Sequence, residues 1–127
     1  MQAHIQSMRD RGIQLLRNGS ASQSVPLLET ALEASPEDVQ LYLYLATAYS
    51  MSDRMVECID LLEHAASLAP HSSMVQYNLG VAHQKANQLM RAQEAYTRAV
   101  NFDASNEKAL KALETVRRLQ AEGAKNM

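Results

Sequence analysis

The sequence predicts an all-α fold of three tandem helix-turn-helix hairpins closed by a C-terminal capping helix. Three observations carry this. A shift of 34 residues lays the chain on itself without gaps: Gly12, Ala46 and Gly80 coincide as small residues, Ala31, Ala65 and Ala99 as alanines, and Pro36 and Pro70 as prolines, with Ala104 in the third place. Apolar residues recur at spacings of three and four, as in Tyr42, Leu45, Ala46 and Tyr49, then in Cys58, Leu61, Leu62 and Ala65, one amphipathic stripe per helix. Residues that tolerate positive φ or end helices stand between the stripes.

The first unit covers residues 5–38. Met8, Gly12 and Leu15 lie on its first helix, the turn is Arg-Asn-Gly-Ser at 17–20, and Leu28 and Ala31 lie on its second helix. Pro26 interrupts that second helix, so a late start near Ser22 or a slight bend is expected. The second unit, 39–72, turns at Met-Ser-Asp-Arg 51–54 and ends at Pro70; the third, 73–106, turns at Ala-Asn-Gln 86–88. Gly12, Ala46 and Gly80 are predicted to let the helices of a hairpin approach, and Ala31, Ala65 and Ala99 to do so where hairpins meet. A bulkier side chain there would cost about 1–3 kcal/mol. Residues 107–122 form the capping helix, with Ala109, Leu110, Leu113 and Val116 expected to pack on the preceding unit, and 123–127 a frayed tail. The length of 127 residues fits one domain, 1–127.

The pattern resembles the tetratricopeptide repeat (TPR) family, whose 34-residue unit reads W-x2-L-G-x2-Y, A-x3-F, then A and P. Leu79, Gly80, Ala92, Tyr96 and Ala99 match in the third copy, and Tyr42, Leu45, Ala46, Tyr49, Cys58, Leu62, Ala65 and Pro70 in the second. The first copy departs, with Arg11 at a leucine position and Ser24 at an alanine position; Glu114 replaces the glycine in the capping helix. The resemblance covers residues 5–106. It implies a right-handed α-solenoid whose first helices line a concave peptide-binding face.

Composition excludes several classes. No stretch approaches the ~18 apolar residues of a membrane span; with no secretory leader at the N-terminus, a cytoplasmic location is expected. One cysteine, Cys58, excludes an internal disulfide and a multi-cysteine metal site. His4, His64, His71 and His83 have no partner at ligand spacing, and His83, at the repeat's tyrosine position, is expected to be structural. Glu57, Asp60 and Glu63 recur at helical spacing as a solvated face, and no glycine loop cradles a phosphate. The expectation is a non-enzymatic chain without a cofactor or metal. The net charge of −2 and the absence of a basic strip interleaved with aromatics argue against nucleic acid, and the capping helix's apolar stripe is assigned to packing rather than to membrane.

Charge is segregated. Residues 1–17 carry Arg9, Arg11 and Arg17 against Asp10; residues 18–84 hold eight acids against Arg54, and residues 85–127 hold eight bases against five acids. Carrying over the concave phase of the resemblance gives candidate partner-binding residues Arg9, Ile13, Arg17, Gln40, Leu43, Tyr44, Thr47, Met51, Met74, Tyr77, Asn78, Val81, Gln84, Lys85, Lys108, Lys111, Thr115 and Arg118, with Gln6, Asp10, Leu16, Ser50, Ala112 and Leu119 on the same stripes. Arg9, Arg17, Lys85, Lys108, Lys111 and Arg118 face only Asp10 on those stripes, a net +5. An extended acidic peptide or helix of a partner protein is the expected ligand. Tyr44, Tyr77, Met51 and Val81 would give apolar contact, and Asn78 would hold peptide backbone. A family subgroup grips a C-terminal carboxylate with a Lys, Asn, Asn, Lys, Arg set. Here Asn78 and Lys108 match, but Leu43, Thr47 and Ala112 stand in the other places, which disfavours such a clamp. In the other register only Arg9 is a near match. The competing expectations are a self-assembling scaffold, with weak homo-oligomers, or a repeat domain excised from a larger protein.

Overall fold

The computed structural model describes residues 2–125, and of Gln2 the backbone alone. Among the described residues there are seven helices and no strand: α1 (Gln2–Arg17), α2 (Ala21–Ala34), α3 (Val39–Met51), α4 (Met55–Leu68), α5 (Ser73–Lys85), α6 (Leu89–Phe102) and α7 (Glu107–Lys125). Helices α3, α5 and α7 begin at 39, 73 and 107, and α2, α4 and α6 at 21, 55 and 89, so both series step by 34 residues.

Two local signals set this register. The residue before α3 and that before α5 are side-chain caps: Asp38 Oδ1 accepts from the Leu41 N–H at 3.4 Å, and Ser72 Oγ from the Val75 N–H at 3.2 Å. Asn106 repeats the arrangement one period later, its Oδ1 accepting from the Ala109 N–H at 3.1 Å. The turns between paired helices each use a left-handed residue, Gly19 (φ 84°), Asp53 (φ 59°) and Asn87 (φ 60°), again 34 apart and in the turns expected from the sequence. The following N–H closes on the first helix at 2.8 Å each time: Ser20 to Leu15, Arg54 to Tyr49, Gln88 to His83.

Among the described residues the helices group into two compact units that divide between Leu68 and Ala69. In the first, α2 packs on α1 and α3, and α3 on α4, around Leu28, Leu41, Leu45, Leu62 and the wholly buried Ala31 and Ala65. Tyr49 is part of its polar edge. The Tyr49 hydroxyl donates to Glu29 Oε2 at 2.6 Å, and Arg54 covers the ring while pairing with Glu57. In the second, α6 packs on α5 and α7, and Ala92, Tyr96, Leu113 and Val116 form one buried cluster.

Several local expectations change. α2 begins at Ala21, not late, and takes Pro26 as its sixth residue; Pro26 and Ser22 are both exposed, so solvent can replace the donor that the ring removes. α7 runs to Lys125 through the open surroundings of Gly123, with Lys125 in its last turn favouring the helix dipole. Residues 123–125 are therefore helical rather than frayed, and Asn126 and Met127 lie outside the described residues. Leu110 is 40% exposed, although Ala109, Leu113 and Val116 are buried as expected. α1 starts at Gln2, ahead of the expected boundary at 5.

Candidate functional site: a cleft lined by α5, α6 and α7

Within the second unit, one side of α5 and one side of α7 face a cleft of about 430 Å³. Tyr77, Val81, Gln84 and Lys85 come from α5, Ala112 and Thr115 from α7, and Tyr96 of α6 forms its floor. The sequence dictates this arrangement locally. Positions 77, 81, 84 and 85 share a face at helical spacing, as do 108, 111, 112, 115 and 118 on α7. α7 is held by its opposite, apolar side, where Leu113 and Val116 join Ala92 and Tyr96.

The start of α7 is fixed by a polar relay. Asn106 Nδ2 donates to Ser73 Oγ at 2.8 Å, and that hydroxyl donates to the Ala99 carbonyl at 2.7 Å, joining the ends of α5, α6 and α7. Gly80 brings the floor close, because a Cβ there would overlap the Tyr96 ring, meeting its Cζ at 2.9 Å and two ring carbons closer still. Tyr77 and Tyr96 lie 5.9 Å apart between ring centroids. The Tyr96 hydroxyl donates to Gln84 Oε1 at 2.8 Å, and burial, then the neighbouring Tyr77, pushes its pKa up to about 12. His83 is buried beside Gln88 Oε1 at 2.8 Å, the structural role expected of it.

The electrostatics follow from the helix sequences. α5 contains no acid, and the α7 stripe that includes Ala112 and Thr115 carries Lys108, Lys111, Arg118 and Glu122, all exposed. Arg118 lies 3.8 Å from Glu122. Thr115, which lines the cleft, donates its hydroxyl proton to the Lys111 carbonyl at 3.0 Å. Met74 is 49% exposed, and Asn78 donates to the Met74 carbonyl at 2.8 Å.

The predicted residues thus divide. Tyr77, Val81, Gln84, Lys85, Ala112 and Thr115 converge on the cleft. In the first unit, Arg17, Gln40, Thr47 and Met51 are exposed and Leu43 and Tyr44 half-buried. Ile13 and Leu16, each 9% exposed, are corrected to core positions, because α1 packs on both α2 and α3 and so buries a wider stripe than a single hairpin needs. Arg9 is half-buried with its guanidinium 3.9 Å from Asp38, which shifts it from groove cation toward structural ion pair. Tyr96 was missed as a lining residue; its place opposite Gly80 in the repeat is the signal that could have found it. Among the described residues no group of three or more His, Cys, Asp or Glu could hold a metal ion, and no helix is long and apolar enough to cross a membrane.

Comparison with known proteins agrees with this architecture. No family model matches the chain. In sequence it is 30% identical over 109 residues, 75% of its length, to cellulose synthase operon protein C of Escherichia coli K12, and the match spans 9% of that relative. In structure it is similar to the Sgt2 TPR domain of Aspergillus fumigatus, with a TM-score of 0.88, 22% identity and coverage of 96% of this chain and 82% of that one. It is also similar to the first TPR of Spaghetti (RPAP3) bound to the HSP90 peptide SRMEEVD, with a TM-score of 0.84, 17% identity and coverage of 92% and 93%. The chain has the all-α fold of tetratricopeptide repeats.

Proposed function

We propose that the chain is a protein-interaction module that acts by binding rather than by catalysis, and that its second unit takes an extended acidic segment of a partner protein. The observation that carries this reading is the cleft itself: Tyr77, Val81 and Tyr96 line it beside Lys85, α5 carries no acid, and the α7 stripe that includes Ala112 and Thr115 carries Lys108, Lys111 and Arg118 against Glu122 alone. Its volume of about 430 Å³ lies in the ~300–1,000 Å³ range of ligand pockets, room for one side chain with adjoining backbone. Carboxylates on either side of that side chain would meet the lysines and arginine, and such complementarity sets association rate and selectivity. Asn78 beside it supplies a polar contact for peptide backbone, and Gln40, Tyr44, Thr47 and Met51 form the surface of the same phase in the first unit.

The similar TPR domain that holds SRMEEVD supports an acidic peptide as ligand. The clamp for a free terminal carboxylate is not part of the reading, because Leu43 and Ala112 have no side-chain donor and Thr47 gives its hydroxyl proton to the Leu43 carbonyl at 3.0 Å. The test is titration of labelled acidic peptides, with free and amidated C-termini, into wild-type protein and the variant Lys85→Glu/Lys111→Glu/Arg118→Glu. Wild type binds both peptide forms comparably and more weakly as salt rises, and the variant loses at least tenfold in affinity, about 1.4 kcal/mol, with its helical melt nearly unchanged. Equal binding by the variant overturns the assignment.

A further inference from the structure

The polar group at the foot of the cleft is the Gln84 carboxamide. Its Oε1 accepts from the Tyr96 hydroxyl at 2.8 Å, and Tyr96 is 1% exposed, so the ring that donates is clamped by the core. An amide whose oxygen is engaged offers its two N–H donors to whatever lies beyond. With the phenol's pKa pushed up to about 12, the hydroxyl remains a donor throughout the physiological range. Gln84 itself is half-buried and lines the cleft between Val81 and Lys85.

We propose that Gln84 is the specificity-determining residue of the cleft: Tyr96 holds its oxygen so that Nε2 presents donors to a backbone carbonyl of an extended acidic segment whose apolar side chain sits over Tyr77 and Val81. This rests on the reading of the cleft as an acidic-peptide site. Tyr96 is a positioning residue, acting on the ligand through Gln84. Lysine and arginine attract any acidic chain, whereas a donor fixed beside an apolar floor accepts only a segment with a carbonyl at the right distance from a large apolar side chain.

The experiment uses the blocked peptides Asp-Glu-Leu-Glu-Asp and Asp-Glu-Ser-Glu-Asp, titrated into 15N-labelled full chain. Wild type binds the leucine peptide more tightly than the serine peptide, and the Gln84 side-chain Nε2 resonances move on binding. Gln84→Met, which keeps length and removes the donors, weakens the leucine peptide about five- to tenfold. Tyr96→Phe weakens it about threefold alone and not at all when combined with Gln84→Met, as a group acting through Gln84 requires. An equal loss from Tyr96→Phe in both backgrounds would mean general loosening and overturns the positioning role. Unmoved Gln84 resonances, or unchanged affinity in Gln84→Met while Lys111→Glu still weakens binding, overturn the inference alone. If wild type binds neither peptide, the acidic-peptide reading falls and takes the inference with it.

Discussion

Gly80 and Gly12 occupy the same repeat position but bear different loads. A Cβ at Gly12 meets the flexible Cδ2 of Leu28 at 2.9 Å, whereas one at Gly80 overlaps the rigid Tyr96 ring. Alanine gains about 1 kcal/mol over glycine in helix propensity, against about 1–3 kcal/mol for overpacking. Gly12→Ala should therefore be near neutral, and Gly80→Ala should lower stability by about 1–2 kcal/mol, read as a fall in Tm; an unchanged Tm would contradict the fit of floor and helix. The phenols give a pH dependence. Tyr96 holds its proton to about 12 in the fold, against about 10 in an unfolded chain, so its contribution is complete below about pH 10 and is lost as pH rises toward 12. Tyr49, raised above the usual range by burial and then by Glu29, adds to the same fall. Thermal melts should show Tm dropping across that window, less steeply in Tyr96→Phe. The phase of Tyr77, Val81, Gln84 and Thr115 was legible from helical spacing alone. The direction of the Gln84 amide was not, since it depends on a hydroxyl twelve residues away.

At the scale of elements, the 34-residue period was legible because every unit repeats the same turn and helix starts. The cap column Asp38, Ser72 and Asn106 obeys that period, yet the three residue types differ and hide it from identity matching. Asn106 is the cap that also bonds Ser73 and so anchors α7. Asn106→Ala should cost about 1–2 kcal/mol and weaken a cleft ligand, whereas Asp38→Ala, in the other unit, should cost a similar amount without that weakening. Comparable ligand affinity in both variants would show that the cap does not shape the cleft. Ile13 and Leu110 show where periodicity stops informing: each sits on a stripe of the predicted phase, and which part of that stripe the neighbouring helices cover decides its exposure. α1 and α7 each pack on two helices, yet Ile13 on α1 is 9% exposed and Leu110 on α7 is 40% exposed.

For the whole molecule, the division of charge along the chain has a structural counterpart. The acids of residues 18–68 lie in the first compact unit, partly spent on Tyr49, Arg54 and Arg9, and most of the C-terminal bases lie on α6 and α7 of the second. A net charge of −2 therefore accompanies a cleft lined by Lys85 and an α7 that carries Lys108, Lys111, Arg117, Arg118 and Lys125. The division into two compact units was not legible, since the repeat is equally regular on both sides of Leu68. The most direct measurement is amide chemical-shift mapping with the leucine peptide at moderate salt. The account predicts perturbations concentrated on Tyr77, Val81, Gln84, Lys85, Ala112 and Thr115, abolished by the triple charge reversal. Perturbations confined to the acidic second helices of the first unit, or insensitive to that reversal, would contradict it.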